Sequence, residues 1–585
     1  MKKASAISVI ATLAALALAT PASAAEKPSS GVKLATMLIQ LDHPGGLRKF
    51  VRQVSTPTSA RYREYRSVNY LAKRYGAKPK QRAKALAWLA RRGIDGEVGP
   101  TGSWITASVK PRAVPAAFLA DGVERRRLMR EGFEAPVPAA LTGVVDSVAI
   151  LGSDPDAFGP AALSAPPTPP ASGRPNTGTP SGCADGVATN YERGFPAAYN
   201  SFTPNQYLTA YGHSKLQSQG LSGKGERVSL IEIDGYLPED IRTFADCFGV
   251  RVPPIRQHLV GLDSVPPIQG ETTLDLEVLA AAAPGLKRID LYTNPGTEAG
   301  IFLSAAEAIA AKGKPDVISV SLEGCEAGIQ GQVTFVRAFD NTMAVAAGAG
   351  ISTLIASGDQ GSTMCSVGPP IGSLPIPTAS TPATSPWVTA VGGTNLVLDA
   401  QNRIADQVTW NDSPDAFAAG GSGLSILESR PWYQRGAISK RRADGMRTVP
   451  DIAGLADVLP GYAIYCSAPT CPGAADWTPI GGTSAATPLF AGGVALLNEQ
   501  AAKSGHANVG FLNPLLYAEG TGKRPGRLFD DVTEGDTDLG TLIPPSAGGG
   551  QPVGCCSAGP GFDLATGFGS PYVDVLGKLA QGYAK

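Results

Sequence analysis

The sequence predicts an α/β fold: a mostly parallel central sheet covered by helices on both faces, preceded by a small α+β unit. Three observations predict it. After about residue 183, short apolar runs such as 317–321 (Val-Ile-Ser-Val-Ser) and 352–357 (Ser-Thr-Leu-Ile-Ala-Ser) alternate with helical segments, the pattern of strands buried on both faces. Ahead of them, 163–182 is dominated by Pro, Ser, Thr, Ala and Gly, a linker composition that separates two folded stretches. Finally, 481–488 (Gly-Gly-Thr-Ser-Ala-Ala-Thr-Pro) sets one serine, Ser484, among small residues before an Ala/Gly-rich apolar segment at 489–497 that reads as a buried helix. Pro488 suits the first turn of that helix.

The totals set bounds. Hydrophobic residues are 43% of the 585 and charged residues 17%, a globular composition able to fill a large core. Lys+Arg and Asp+Glu are equal at 50 each, so no electrostatic case exists for nucleic acid or an anionic membrane as partner.

Taken in order, Lys2 and Lys3 precede an apolar run at 6–19 that ends in Pro-Ala-Ser-Ala at 21–24. This reads as a secretory signal over 1–24, cleaved after Ala24 and too short for a membrane span, and it predicts an exported, extracellular protein. Residues 25–162 form the first unit: a strand at 34–41, helices at 47–54, 65–75 and 80–92, the last presenting Ala83, Leu86, Leu89 and Ala90 on one face. The unit is basic (Arg61, Arg63, Arg66, Lys73, Arg74, Lys78, Lys80, Arg82, Lys84, Arg91, Arg92 and Arg125 to Arg127), which reads as a solvated helix surface or a face docking on an acidic partner. A signal, a small basic domain, a linker at 163–182 and a large unit at 183–585 together suggest a pro-segment ahead of an enzyme. In the large unit, strands are expected at 227–233, 288–292, 317–321, 352–357 and 387–391, with helices at 273–283, 301–312 and 333–347. Loops after the carboxyl ends of such strands are where sites form.

All eight cysteines lie in this unit: Cys183, Cys247, Cys325, Cys365, Cys466, Cys471, Cys555 and Cys556. An even number in an exported chain reads as disulfides, and no CxxC spacing favours a metal. Cys466 and Cys471 can close a short loop; the adjacent Cys555 and Cys556 need not bond to each other, and the remaining connectivity is open.

Ser484 reads either as a nucleophile at a helix N-terminus or as a tight loop entering a core helix. A nucleophile needs a base. The four histidines, His43, His213, His258 and His506, lack the His-Gly-Thr context that would partner such a serine. Glu271 and Asp275 do better: four residues apart at a helix start, they share one face, where like charge and burial raise one pKa. Without a catalytic role they form an ordinary acidic helix N-terminus. Asp359, in Ser357-Gly-Asp after a strand, is either a turn residue or a protonated carboxyl able to donate to an oxyanion.

This set, Glu271-x-x-x-Asp275, Ser357-Gly-Asp359 and Gly482-Thr-Ser484-Ala-x-Thr-Pro488, resembles the sedolisins, or serine-carboxyl peptidases. Further matches are Ser-Thr-Pro-Thr-Ser-Ala-Arg-Tyr at 55–62, which is similar to the activation pro-domain of kumamolisin-like members, and Gly-Gly-Ser-Gly-Leu-Ser at 420–425. The resemblance implies a subtilisin-like catalytic domain with Ser484 as nucleophile, Glu271 as general base, Asp275 orienting it and Asp359 supporting the oxyanion. It implies a zymogen endopeptidase with an acid optimum, acting on proteins or peptides as a monomer, with its own pro-domain as inhibitor and folding aid. It also implies one structural Ca²⁺, held by Asp531, the Val532, Gly559 and Gly561 carbonyls, and Asp563; read without it, these residues are a polar surface loop. Leu322-Glu-Gly-Cys-Glu326 departs from the more usual aromatic-Gly after that strand, and Gln360 stands where a small Ser is common. The alternatives are a tripeptidyl exopeptidase of the same family and a non-catalytic secreted binding protein on the same scaffold.

Overall fold

The computed structural model describes residues 35–110, 114, 132–153, 157–160, 176–189, 201–329, 332–365, 376–414, 416–439, 443–472, 476–522, 525–545 and 549–583. The signal segment, Arg125 to Arg127 and linker residues 163–175 lie outside them. Strands β1 (Ala35–Leu41), β2 (Glu97–Val98), β3 (Trp104–Val109), β4 (Phe133–Ala135) and β5 (Val145–Leu151) form an antiparallel sheet in the order β2-β3-β1-β5-β4. Strand period sorts its two faces. Met37 and Ile39 pack with Trp88 and Leu89 of the Pro79–Ala90 helix. Leu38, on the other face, joins the core of the large unit together with Phe50, Val51 and Val54 of the Leu47–Ser55 helix. The buried face of the Pro79–Ala90 helix is Ala85, Trp88 and Leu89, while Ala83 and Ala90 are exposed. Leu86 and Leu89 of the expected face pack on the core of the first unit, while Ala85 and Trp88 take the places expected for Ala83 and Ala90. Lys73, Arg74, Lys78, Lys80, Lys84, Arg91 and Arg92 are exposed, so the basic run is mainly a solvated surface.

The first unit docks on the Val333–Gly348 helix. A Cβ at Gly348 would stand 3.1–3.4 Å from Leu71, Phe50 and Val51, so the two surfaces meet closely. Glu134 accepts from the Thr334 N–H and Oγ1, both at 2.6 Å, capping that helix with a carboxylate from the first unit. Trp104 lies 4.7 Å, centroid to centroid, from Phe302. Downstream, Thr177 N donates to Leu398 O at 3.0 Å and Thr179 N to Asn402 Oδ1 at 2.6 Å, so the described end of the linker already lies on the large unit.

Beyond β6 (Gly159–Pro160), the large unit is built on β7 (Arg227–Glu232), β8 (Ile255–Leu259), β9 (Arg288–Thr293), β10 (Val317–Val320), β12 (Ser352–Ala356), β14 (Thr389–Leu398) and β15 (Ile404–Thr409). Their order is β15-β14-β12-β10-β7-β9-β8, parallel except for the antiparallel β14–β15 pair. Short strands β11 (Leu322–Cys325) and β13 (Ser380–Thr381) leave the end of this sheet and form a second small sheet, β13-β11-β6. The central strands are buried along their whole length, as continuous apolar runs require. Helices Glu271–Ala282 and Thr483–Lys503 pack against each other, and every residue of the first is buried. In the core of the large unit, Arg447 pairs with Asp451 through two bonds at 2.7 and 2.6 Å with neither side chain exposed. Asp451 also accepts from Ala390 N, Asn513 Nδ2 and Tyr517 OH, so its remaining lone pairs are satisfied.

The disulfides are Cys183–Cys247, Cys325–Cys365, Cys466–Cys471 and the adjacent Cys555–Cys556. No helix among the described residues is long and apolar enough to cross a membrane.

Candidate active site

The two acids of Glu271-x-x-x-Asp275 open their helix because Asp234, in the loop after β7, clamps the turn before it. Asp234 Oδ2 accepts from Gln269 N at 2.7 Å and Oδ1 from Thr272 N at 2.9 Å, satisfying donors at the helix start. Gly270 turns the chain into the helix at φ +102°. Glu271 and Asp275 then share one face and are both buried. Ser321, one residue beyond β10, donates its Oγ to Asp275 Oδ2 at 2.6 Å. Glu277 points away and accepts from Tyr465 N at 3.0 Å.

A third carboxyl joins them. Glu232, the last residue of β7, is fully buried beside Asp275 and Glu271. Its signal in the sequence was a lone acid at the end of an apolar strand, which carries no meaning until the parallel sheet sets β7 beside the Glu271 helix. Burial is the main force on all three groups. It pushes Glu271 and Glu232 well above the usual carboxylate range, with Asp275 the next cause in each case. Asp275 rises to about 7, burial being opposed by the neighbouring Glu232 carboxyl and by the Ser321 hydrogen bond. The Ser484 hydroxyl lies close enough to Glu271 to oppose its rise. Ser484 Oγ and both Glu271 oxygens nonetheless lack a formed hydrogen bond among the described residues.

Ser484 is the second residue of the Thr483–Lys503 helix, after Gly482 at φ +107°. Pro488 is the sixth helical residue, inside the second turn rather than the first. It has no N–H to give Ser484 O, four residues back; Ser321 Oγ lies 3.5 Å from that carbonyl. Across the serine from the acids, Asp359 follows β12. Its Oδ1 accepts from Thr483 N at 2.8 Å and Thr483 Oγ1 at 2.9 Å, which leaves the buried Oδ2 without a partner. Burial raises Asp359 well above the usual range, and the Glu323 carboxyl adds to it. Glu271, Asp275 and Asp359 therefore converge around Ser484, two carboxyls from one helix and a third from the loop after β12. Among the described residues no histidine is hydrogen-bonded there: His213 bonds Leu489 O at 3.0 Å and His258 bonds Asp290 at 3.1 Å.

A segment of the first unit lies beside this site. Gly159 and Pro160 pair antiparallel with Glu323 and Leu322 of β11, and Phe158 N donates to Gly296 O at 3.1 Å. Phe158 is buried, 6.5 Å from the Phe335 ring, and a Cβ on Gly324 would come within 2.8 Å of it. An extended strand held by main-chain bonds on both sides is how a peptide substrate is gripped at a sheet edge.

At the far end, Asp531 and Asp563 are drawn to one loop. Gly561 N donates to Asp531 Oδ2 at 2.8 Å and Gly559 N to Asp563 Oδ2 at 2.9 Å. Burial raises both carboxyls, Asp563 to about 6. Neither forms an ion pair with a Lys or Arg among the described residues. Among those residues no group of three His, Cys, Asp or Glu is placed to hold a metal. Two carboxyls without a cationic partner on a Gly-containing loop fit a hard divalent cation that completes its shell with carbonyls and water.

Comparison with known proteins places these features. Residues 23–151 match the family "Pro-kumamolisin, activation domain", and residues 282–512 match the "Subtilase family". Ser484 and Asp359 fall inside the second match, whereas Glu271 and Asp275 precede it. The chain is 34% identical to kumamolisin of Bacillus sp. (strain MN-32) over 386 residues, 64% of this chain and 63% of that protein. It is 30% identical to human tripeptidyl-peptidase 1 over 331 residues, about half of each (52% and 51%), and 28% identical to the rat protein over 91% of this chain and 88% of that one. Its structure is similar to that of Pseudomonas sedolisin, a serine-carboxyl proteinase complexed with pseudo-iodotyrostatin, with a TM-score of 0.54, 27% identity, and coverage of 66% of this chain and 99% of that one.

Proposed function

The chain belongs to the sedolisin family, with a pro-kumamolisin-type activation domain ahead of a subtilase-type domain, and from that premise we propose that it is a secreted, acid-acting serine-carboxyl endopeptidase made as a zymogen. The observation that carries the proposal is the placement of Ser484 between Glu271–Asp275 and the unpartnered Oδ2 of Asp359, with no histidine bonded to it. Ser484 Oγ attacks the peptide carbonyl carbon while Glu271 takes its proton. Charge gathers on the carbonyl oxygen, and a protonated Asp359 donates to it. Collapse breaks the C–N bond, the amine leaves with the proton from Glu271, and water repeats the sequence in reverse to free the acid product and Ser484. Asp275 and Glu232 orient and tune the base.

The pH dependence follows from the signs. Glu271 must be ionised to accept a proton and Asp359 must be protonated to donate one. Rising pH strips Asp359, so activity falls on the alkaline side. In the precursor, burial and neighbouring carboxyls favour the protonated, idle form of Glu271. Departure of the segment at 158–160 lets water into the cleft and relaxes that burial.

That segment also supports cleavage within chains, because it occupies the cleft with the whole activation domain upstream of it. Peptides with acetylated N-termini are expected to be cut as readily as free ones. If the blocked peptides stay intact while free ones lose tripeptides, the enzyme is a tripeptidyl exopeptidase. The paired cysteines agree with export.

One Ca²⁺ at Asp531 and Asp563, with the Val532, Gly559 and Gly561 carbonyls, would stabilise the C-terminal loop by binding the folded state alone. Chelation is expected to lower the thermal midpoint and added Ca²⁺ to restore it. Asp563→Asn should abolish that response. A midpoint indifferent to chelator would remove the ion from the account.

A further inference from the structure

The departure at Leu322-Glu323 sets a fifth carboxyl at the oxyanion side of the site. Glu323 is 4% exposed, and its backbone pairs with Gly159 in the cleft. Its side chain turns toward the loop after β12, where Oε2 accepts the Asp359 N–H and lies 2.6 Å from where a Cβ on Gly358 would sit. Gly358, at φ +104°, is thus the residue that lets the carboxylate approach. The Cys325–Cys365 disulfide joins β11 to the chain just beyond that loop.

We propose that Glu323 is a positioning residue for the reaction: it takes the ionised share of a two-carboxyl pair and so keeps the proton on Asp359, where the oxyanion needs it. The unpartnered, buried oxygen of Asp359 sets this order. Glu323 accepts a main-chain N–H and is steadied by the Gln360 side chain, both of which favour its charged form. Asp359 takes two bonds on Oδ1, but its buried Oδ2 has no donor to meet a charge there. Two buried carboxyls near enough to raise one another cannot readily both ionise. The other groups facing Asp359 do not reverse the order. Asp412 and Glu271 are acids that add to the same repulsion, and Thr483 donates to Oδ1 alone. Burial lifts both members of the pair, Glu323 to about 7 and Asp359 further under the Glu323 charge. The inference rests on Asp359 being the oxyanion donor.

The test is the pH profile of kcat for enzyme activated from the full chain, in wild type, Glu323→Gln, Asp359→Asn and the double variant. Gln keeps the size and the acceptor oxygen but removes the charge, so the alkaline limb is expected to move at least about one pH unit lower. Asn donates at every pH, so both variants carrying it should lose the limb. A side chain that only holds the loop would change the height of the profile, not the position of its limb. Should Glu323→Gln fold poorly, Glu323→Gly, the residue of the more usual pattern, reads the same shift. A limb that stays in place or moves upward, while Asp359→Asn still removes it, overturns the role of Glu323. A limb that survives Asp359→Asn overturns the oxyanion assignment beneath it.

Discussion

Replacing Ser484 with Ala is expected to lower peptide hydrolysis by about 10⁶-fold, the loss seen when a serine nucleophile that works as a unit with its base is removed. The fold should survive. Ser484 is buried at a helix start, its Oγ makes no formed hydrogen bond, and its removal opens only an atom-sized gap. Thr483, which anchors Asp359, is untouched. Initial rates on an unstructured peptide, beside a thermal melt, check both halves. Wild-type activity in the Ala variant would mean that the group attacking the carbonyl lies elsewhere.

Replacing Glu271 with Gln is expected to cost about 10²–10⁴-fold in kcat, the usual share of a general base. Gln keeps the shape but cannot take the serine proton. The variant should be no less stable than wild type near neutral pH, because the native side chain is an unpartnered buried acid crowded by Asp275 and Glu232. The sign follows from linkage. A carboxyl raised in the folded state stabilises fully below its unfolded value of about 4.3, and that stabilisation is lost as pH climbs toward the folded value. Gln carries no such dependence. Thermal midpoints from pH 4 to 8 should therefore fall less steeply in the variant, while kcat falls at every pH. Retention of kcat would place the base on another residue.

The fold was legible where burial is two-sided. β10 and β12 are buried throughout and β7 and β9 in all but their first residue, and their positions agree with the runs in the sequence. β8 (Ile-Arg-Gln-His-Leu) and β15 (Ile-Ala-Asp-Gln-Val-Thr) sit at the sheet edges, where polar side chains reach water and the apolar signal fades. β6 is two residues long and is defined only by its partner. In the site, Glu271 and Asp275 were visible because four-residue spacing on a helix is local chemistry. Glu232, Ser321 and Glu323 reach the same centre only through the crossing order of a parallel sheet, which residue spacing does not encode. The disulfides divide in the same way: Cys466–Cys471 closes within five residues, while Cys183–Cys247 and Cys325–Cys365 need the fold to bring them together.

The central claim is that Ser484, served by carboxyls, performs peptide cleavage on a chain seated where Phe158–Pro160 now lies. The most direct measurement is an acid shift of the purified precursor beside its Ser484→Ala variant, followed by intact mass. The account predicts that wild type loses the activation domain, with a new N-terminus beyond Pro160, and that the Ala variant stays whole. Equal trimming of both chains at the same site and rate would contradict it.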